Sequence, residues 1–594
     1  MGPQVGMERG RTPITWAIQI SKTHATQERS PRSCACGWCC GGLFGERAEK
    51  SDAAVADSLD RTESAGQGVP MDLAPETSFP RSAGVLVHPS SLPGGYGIGD
   101  LGQTTSRLLD FMAQHGLYHW QILPLAPPGP GESPYSASSS FAGNPWLLDL
   151  DILQKANLLE TADLEHGGFP LDQINFSAMK AFKKPRLEKA ASTLLANPSH
   201  PWFSGYQHFL STNAWIEDDA LFHALRAHYE VPWWQWPDDV RRKEKNACAR
   251  ARETLKETID QYAVLQFFFD MQWQMVKGQA FDLGISVFGD IPIYVARDSV
   301  DVWAFPEQFL LDKNGAPRIV AGAPPDPFAE RGQMWGNPIY NWSRMKEDGH
   351  RYWIRRLKRA LSLTPTLRID HFRGLSAYWG IPADAPDARA GQFYEGPGMA
   401  FFHDIKKALG PVNLVAEDLG VLDDDVYRLL EDSGLPGMRV LQFAFGAESI
   451  NLHLPHQHRE NMVVYTGTHD NPTTRHWWES TSESVRDHVR RYFSTDGSDV
   501  VWDLIRAAMQ SPAHTAIIPL QDFLVLGADA RMNTPGEAEG NWGWRVRSEA
   551  FSPSVGERIA SLTDVYNRDI LKRAREESMT AVKPKKPAPW RETF

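Results

Sequence analysis

Short apolar runs that end in a polar residue and a loop recur along the chain, separated by stretches whose apolar residues follow a helical period. In AGVLVHPSSLPGGYGIGDLG, starting at Ala83, an apolar strand enters a loop rich in Gly and Pro. Leu108, Leu109 and Met112 then recur at helical spacing, Gly116 supplies a stop, and HWQILPL reads as the next strand. GISVFGDIPI follows an apolar helix around Tyr262 to Val276, TLRID follows a helix carrying Ile354, Leu357 and Leu361, and NLVAED and MVVYTGTHD repeat the arrangement. Between these last two lies DDDVYRLLEDSG, a helix with an acidic first turn and Gly434 at its C-terminal side, followed by the strand-like MRVLQFAF. Strands alternating with helices predict a parallel sheet. Carboxylates gathered where those strands end predict an α/β fold of the (β/α)8 barrel type, with its site built from the following loops.

The pattern also divides the chain. Residues 1–78 lack sustained periodicity and are rich in Gly, Ser, Arg and Glu, which predicts an unstructured N-terminal extension. A catalytic barrel is expected over residues 79–580. Within it, residues 151–263 read as an inserted helical subdomain full of aromatics, as in HPWFSGYQHFL and VPWWQW, and residues 305–345 as a loop region bordering the site. KPKKPAP marks residues 581–594 as a charged, solvated tail. No internal repeat is evident, and no run of evenly spaced strands predicts a C-terminal β-sandwich.

Composition narrows the function classes. The 594 residues are 42% hydrophobic and 23% charged, an ordinary soluble composition able to bury a large core. A formal net charge of -12 argues against a phosphate-backbone binder, so nucleic acid is not an expected partner. Charges, prolines or glycines interrupt every apolar run before the roughly 18 residues of a membrane helix, so no membrane association is expected. Cys34, Cys36, Cys39 and Cys40 crowd into CACGWCC and Cys248 stands in a charged helical stretch, which leaves the body without a disulfide framework and suits a reducing compartment. Cys36-x-x-Cys39 has half of a zinc spacing with no second pair to complete it, so no metal is expected there. Two acids, Glu8 and Glu28, in the first 44 residues fit a transit peptide; an upstream start with Met71 as the natural beginning fits equally. The first implies a plastid. The second, in a bacterial source, implies the cytoplasm.

TLRIDHFRGL, residues 366 to 375, is the segment where pattern and chemistry meet. Alternate residues of a strand share a face, so Arg368 and Asp370 point one way while Leu367 and Ile369 point the other. In a barrel the apolar face packs under the outer helices and the charged one reaches the mouth. An arginine beside a carboxylate favours its charged form, as a carboxylate nucleophile requires. A buried ion pair that merely fixes strand register would look the same, although such pairs stabilise poorly. Two further strands end alike, at Glu417 in LVAEDLG and Asp470 in TGTHDNPTT. Three carboxylates at one barrel mouth point to glycoside chemistry by a nucleophile, a general acid and an assisting group.

Taken in order, GVLVHPSSLPGGYGIGDLG, SPYSASSSFAGNP, FGDIPIYV, PPDPFAERGQMWGNPIYNW, LRIDHFRG, LVAEDLG, YTGTHDNPTT and ARMNTPGEAEGNWGWR resemble the amylomaltases. These 4-alpha-glucanotransferases, or disproportionating enzymes, form glycoside hydrolase family 77 within the alpha-amylase clan. The resemblance runs from about Arg81 to at least Arg545. It implies Asp370 as nucleophile, Glu417 as general acid and base, and Asp470 as a third carboxylate binding sugar hydroxyls. Arg368, His469, Tyr135 and Asp290 would line the same donor-sugar subsite, with Ser133 and Gln333 as further substrate-binding residues and Trp335 on the acceptor side. Phe328 and Tyr340 are offered by the same loop as sugar-stacking rings, and Trp342 reads as core. Pro327 departs from the family, which often has an aromatic there. The implied substrates are alpha-1,4-glucans such as maltooligosaccharide, starch or glycogen chains, and no cofactor is implied.

His371 and His469 beside carboxylates do not read as metal ligands, because adjacent strand residues face opposite ways. His371 and Arg373 have no assigned role. An alpha-amylase-type hydrolase is the competing reading, and it would more often carry a C-terminal β-domain and a calcium site. A carbohydrate-binding protein without activity is disfavoured by retention of all three carboxylates.

Overall fold

In the computed structural model, which describes residues 79–325, 330–420, 422–446 and 451–574, eight strands run parallel. They are β1 (Ser82–Leu86), β2 (His119–Gln121), β3 (Ser286–Ile291), β4 (Thr366–Ile369), β5 (Asn413–Ala416), β6 (Gly437–Val440), β7 (Met462–Tyr465) and β8 (Thr515–Pro519). Their spatial order is β6-β7-β8-β1-β2-β3-β4-β5, and the Ala416 N–H donates to Pro436 O at 2.9 Å across the remaining gap. The sheet is thus a nearly closed (β/α)8 barrel, as the alternation predicts. The readings placed on residues 1–78, the four clustered cysteines, Pro327, Phe328 and the 581–594 tail lie outside the described residues.

Barrel closure explains the apolar strand texture. With side chains filling the interior and helices covering the outside, both faces of a strand are shielded, and every residue of β1, β4, β6 and β8 is buried. In β4 the outward Leu367 and Ile369 join an apolar cluster with Trp353 and Leu357 of the helix Arg351–Leu363. The inward Arg368 instead pairs in register with Asp290 of β3. Gly84 in β1 is required by packing, since a Cβ there would lie 2.5 Å from His119 O of the paired β2.

Between β2 and β3 the chain runs through the helices Phe176–Ala196, Phe203–Thr212 and Ile216–Tyr229 before the 27-residue helix Lys256–Asp282 returns to the barrel. That helix holds the loop after β2 by two buried side-chain amides. Gln266 exchanges hydrogen bonds with the backbone of Gly143 (2.7 and 3.0 Å), and Gln272 does the same with Asp149 (2.8 and 3.1 Å). Each amide mimics a strand neighbour and satisfies backbone groups that would otherwise be buried unpaired.

A second, antiparallel sheet joins Gln333–Pro338, Ile319–Ala323, Ala377–Pro382 and Gln392–Glu395 in that order. It sits beside the ends of β3 and β4, where Trp335 meets both Tyr294 and His371. Among the described residues no helix is long and apolar enough to cross a membrane.

Candidate active site

The inward face of β3 and β4 supplies the first part of the site. Arg368 Nη1 donates to Asp290 Oδ1 and Oδ2 at 3.0 and 2.8 Å and pairs with Asp370 Oδ1 at 2.8 Å. Tyr135 Oη donates to Asp290 Oδ2 at 2.8 Å, which brings the loop after β2 into the network. Burial works against charge on Asp290 and pushes it up, while the Arg368 guanidinium and the Tyr135 hydroxyl oppose that shift. Two carboxylates in turn hold Arg368 firmly protonated against its own desolvation. They differ in access: the Asp290 side chain is 0% exposed and that of Asp370, one residue beyond β4, is 28% exposed. One guanidinium therefore anchors a buried acid and a cleft-facing one.

Arg368→Ala is expected to leave both acids without their counter-charge and to lower stability by about 3–5 kcal/mol. A urea midpoint matching that of the parent would refute this.

Glu417 and Asp418 follow β5 directly and have opposite fates. Asp418 is tied to β6, its Oδ2 accepting from Arg439 Nη1 at 2.8 Å and its Oδ1 from the Met438 N–H at 2.5 Å. Glu417 turns to the mouth, where Oε2 accepts the His371 N–H at 2.7 Å and Oε1 the Leu419 N–H at 3.0 Å. Burial pushes its carboxyl up to about 8, with the Asp370 charge adding to the shift and Arg368 and the backbone donors opposing it. Burial and the neighbouring Asp370 thus favour the protonated form of Glu417, the form that acid catalysis needs.

The loop after β7 brings the third acid. The Asp470 side chain is 40% exposed; Oδ1 accepts from Asn533 Nδ2 at 2.6 Å, and Oδ2 lies 3.4 Å from His469 Nε2. The His469 ring stacks on Tyr135 with centroids 5.1 Å apart and planes 10° off parallel, and Trp542 leans on both rings. Here the strand-based expectation that adjacent His and Asp face opposite ways is corrected. Residues 469 and 470 lie in a turn beyond β7, where the two-residue alternation no longer applies and both side chains reach one side. Among the described residues no group of three or more His, Cys, Asp or Glu is placed to hold a metal ion.

The model of a family described as 4-alpha-glucanotransferase, glycoside hydrolase family 77, matches residues 87–550. The chain belongs to that 4-alpha-glucanotransferase family. A 4-alpha-glucanotransferase of Thermus thermophilus is 43% identical over 500 residues, covering 82% of this chain and 99% of the relative. A chloroplastic/amyloplastic 4-alpha-glucanotransferase of Arabidopsis thaliana is 41% identical over 501 residues, covering 83% and 87%. The solved structure of an amylomaltase from Streptococcus agalactiae in complex with acarbose superposes with a TM-score of 0.80 at 36% identity, covering 82% of this chain and 99% of the other. The relatives thus include both bacterial and plastid-type enzymes, and this chain is an enzyme of the same 4-alpha-glucanotransferase class.

In this transferase the loop residues singled out by sequence separate into two groups. Trp335 is 38% exposed; its Nε1–H donates to Gln333 Oε1 at 3.1 Å, and its ring stands edge-on to His371. Ser133 Oγ accepts the Tyr135 N–H at 3.2 Å and so caps the short turn that carries that tyrosine. Tyr340 overturns the expectation of a sugar-stacking ring. It is 0% exposed, donates its hydroxyl to Ile293 O at 2.8 Å and packs among Phe309, Tyr352 and Trp353. Trp342 packs beside it in the same cluster.

Sequence reasoning missed Asn533 and Trp542, although both lie in the matched stretch ARMNTPGEAEGNWGWR. It also missed Tyr465, whose hydroxyl donates to Gln121 Oε1 at 2.9 Å inside the barrel. Neither an amide nor a tyrosine at a strand end stands out by residue type as a carboxylate does.

Proposed function

We propose that this 4-alpha-glucanotransferase works by a retaining double displacement that moves a segment of a 1,4-alpha-glucan to the 4-hydroxyl of a second glucan or of glucose. The observation that carries the proposal is the cleft-facing Asp370 held by Arg368 beside a Glu417 whose carboxyl is pushed up to about 8. Asp370 attacks the anomeric carbon, the glycosidic C–O bond breaks, and Glu417 gives its proton to the departing 4-oxygen. The attached sugar is then a neutral ester of Asp370. Removing that negative charge removes one of the causes that keep Glu417 protonated, so Glu417 changes from acid to base. It takes the proton of the acceptor 4-hydroxyl, whose oxygen attacks the anomeric carbon and releases Asp370. Asp470, with His469 behind it, binds ring hydroxyls of the sugar being transferred, and Tyr135, Asp290 and Arg368 form the floor of that subsite.

Water would complete the second step equally well, so transfer depends on seating the acceptor sugar and excluding water. Half-exposed Trp335, with Gln333 fixing its indole, supports an acceptor wall on that side. Trp335→Ala is expected to raise the hydrolysis-to-transfer ratio roughly tenfold, equivalent to ~1.4 kcal/mol of acceptor binding. Maltotriose provides the decisive substrate, since transfer yields glucose together with longer maltooligosaccharides. Glucose and maltose without elongated products would favour an alpha-glucan hydrolase instead.

A further inference from the structure

Two residues after the proposed nucleophile take no part in that scheme. Arg373 is accounted for by packing: Nη2 donates to Asp423 Oδ2 at 2.9 Å and the guanidinium lies 4.2 Å from the Phe393 ring, fastening the loop after β5 to the antiparallel sheet.

His371 is held at a φ of 52°, the left-handed region that few residues other than Gly adopt and that His enters more readily than β-branched residues do. Two contacts show what that conformation achieves. The His371 N–H donates to Glu417 Oε2 at 2.7 Å, and the next N–H, of Phe372, donates to Glu417 O at 3.2 Å. Successive amides therefore grip both the side chain and the backbone of one residue. The positive φ also sets where the His371 Cβ goes relative to its N–H, and the imidazole ends up against Trp335, with centroids 4.8 Å apart and rings at 90°. Burial pushes this imidazole down to about 4, so near neutral pH it is an uncharged support and adds no cation beside Glu417. Gly374 keeps room for it, since a Cβ there would lie 3.3 Å from the His371 ring.

We infer that His371 is a positioning residue that couples the acceptor wall to the acid/base, its backbone N–H orienting Glu417 and its ring seating Trp335. An acceptor sugar lying on Trp335 presses on the same residue that aims the Glu417 carboxyl, so acceptor binding and proton transfer are linked through one side chain. This inference rests on the assignment of Glu417 as acid/base and goes beyond it by naming what holds that group in place.

The test is a substitution series at 371 in the full chain. Gly and Asn adopt positive φ readily, Ala less so and β-branched Val least. The first step, read as initial glucose release from maltotriose, whose sugar leaving group needs the Glu417 proton, is expected to fall by less than about tenfold in His371→Gly and His371→Asn and roughly 100-fold further in His371→Val. His371→Ala should fall between them, so the ranking survives if the Val variant does not fold. All ring-less variants should raise the KM for glucose as acceptor, and the share of product lost to water, by about tenfold. A first-step rate indifferent to the substituent's backbone preference, or an unchanged acceptor KM in His371→Asn and His371→Gly, would overturn the inference. Glu417→Gln is assayed alongside: if it keeps parental turnover, the acid/base assignment fails, whatever the 371 series shows.

Discussion

Asp370→Asn is expected to lower glucan transfer by roughly 10⁴-fold or more while leaving the barrel folded. The amide oxygen that replaces the carboxylate is a poor nucleophile, so no sugar ester forms and both half-reactions stop. The fold should survive because Arg368 Nη1 keeps its bifurcated hold on both oxygens of buried Asp290, and Asp370 is the exposed member of the pair. Glucose release from maltotriose and a thermal melt read the two effects separately. Turnover within tenfold of the parent would remove Asp370 from the scheme. Asp290→Asn gives the contrast, since it disturbs the buried anchor and should lower the unfolding temperature as well as the rate.

Glu417→Gln is expected to cost about 10³-fold with natural glucans, whose sugar leaving groups need a proton. Activated 4-nitrophenyl donors need none in the first step and should lose much less. Because the acid form of Glu417 starts the reaction, kcat/KM of the parent should fall as pH rises through about 8. That limb should vanish in the variant.

Stability follows the same shift with a definite sign. A carboxyl whose folded-state value is raised from 4.5 to about 8 binds its proton more tightly in the native state. Its contribution to stability is present in full below about 4.5 and is lost as pH rises toward 8. Gln cannot ionise. The variant should therefore melt above the parent at pH 8 and lose that advantage toward pH 4.5, and an unfolding temperature with no such dependence would contradict a raised Glu417 carboxyl.

Much of this was readable in one dimension. Two-residue alternation in TLRID separates Leu367 and Ile369 from Arg368, and the structure divides them in the same way between outer layer and barrel interior. Strand and helix periods, repeated along the chain, predict a parallel barrel. Acids at strand ends draw attention to Asp370, Glu417 and Asp470 because a charge at the end of an apolar run is costly unless it has work or a partner.

Other features were not readable because they depend on contacts between distant segments. Tyr340 and Trp335 stand in one aromatic-rich loop, yet one is sealed against Ile293 O and the other half exposed. Glu417 and Asp418 are adjacent acids, and the Met438 N–H and Arg439 guanidinium, 20 and 21 residues along the chain from Asp418, draw that one away from the mouth. Asn533 reaches Asp470 across 63 residues and Tyr135 reaches Asp290 across 155. Local periodicity and residue type by themselves determined the barrel class and the candidate acids, since both are properties of neighbouring residues. The protonation of Glu417, its clamp by His371 and the split between core and cleft aromatics were decided by tertiary structure, because desolvation and hydrogen-bond geometry arise only when remote segments exclude water together.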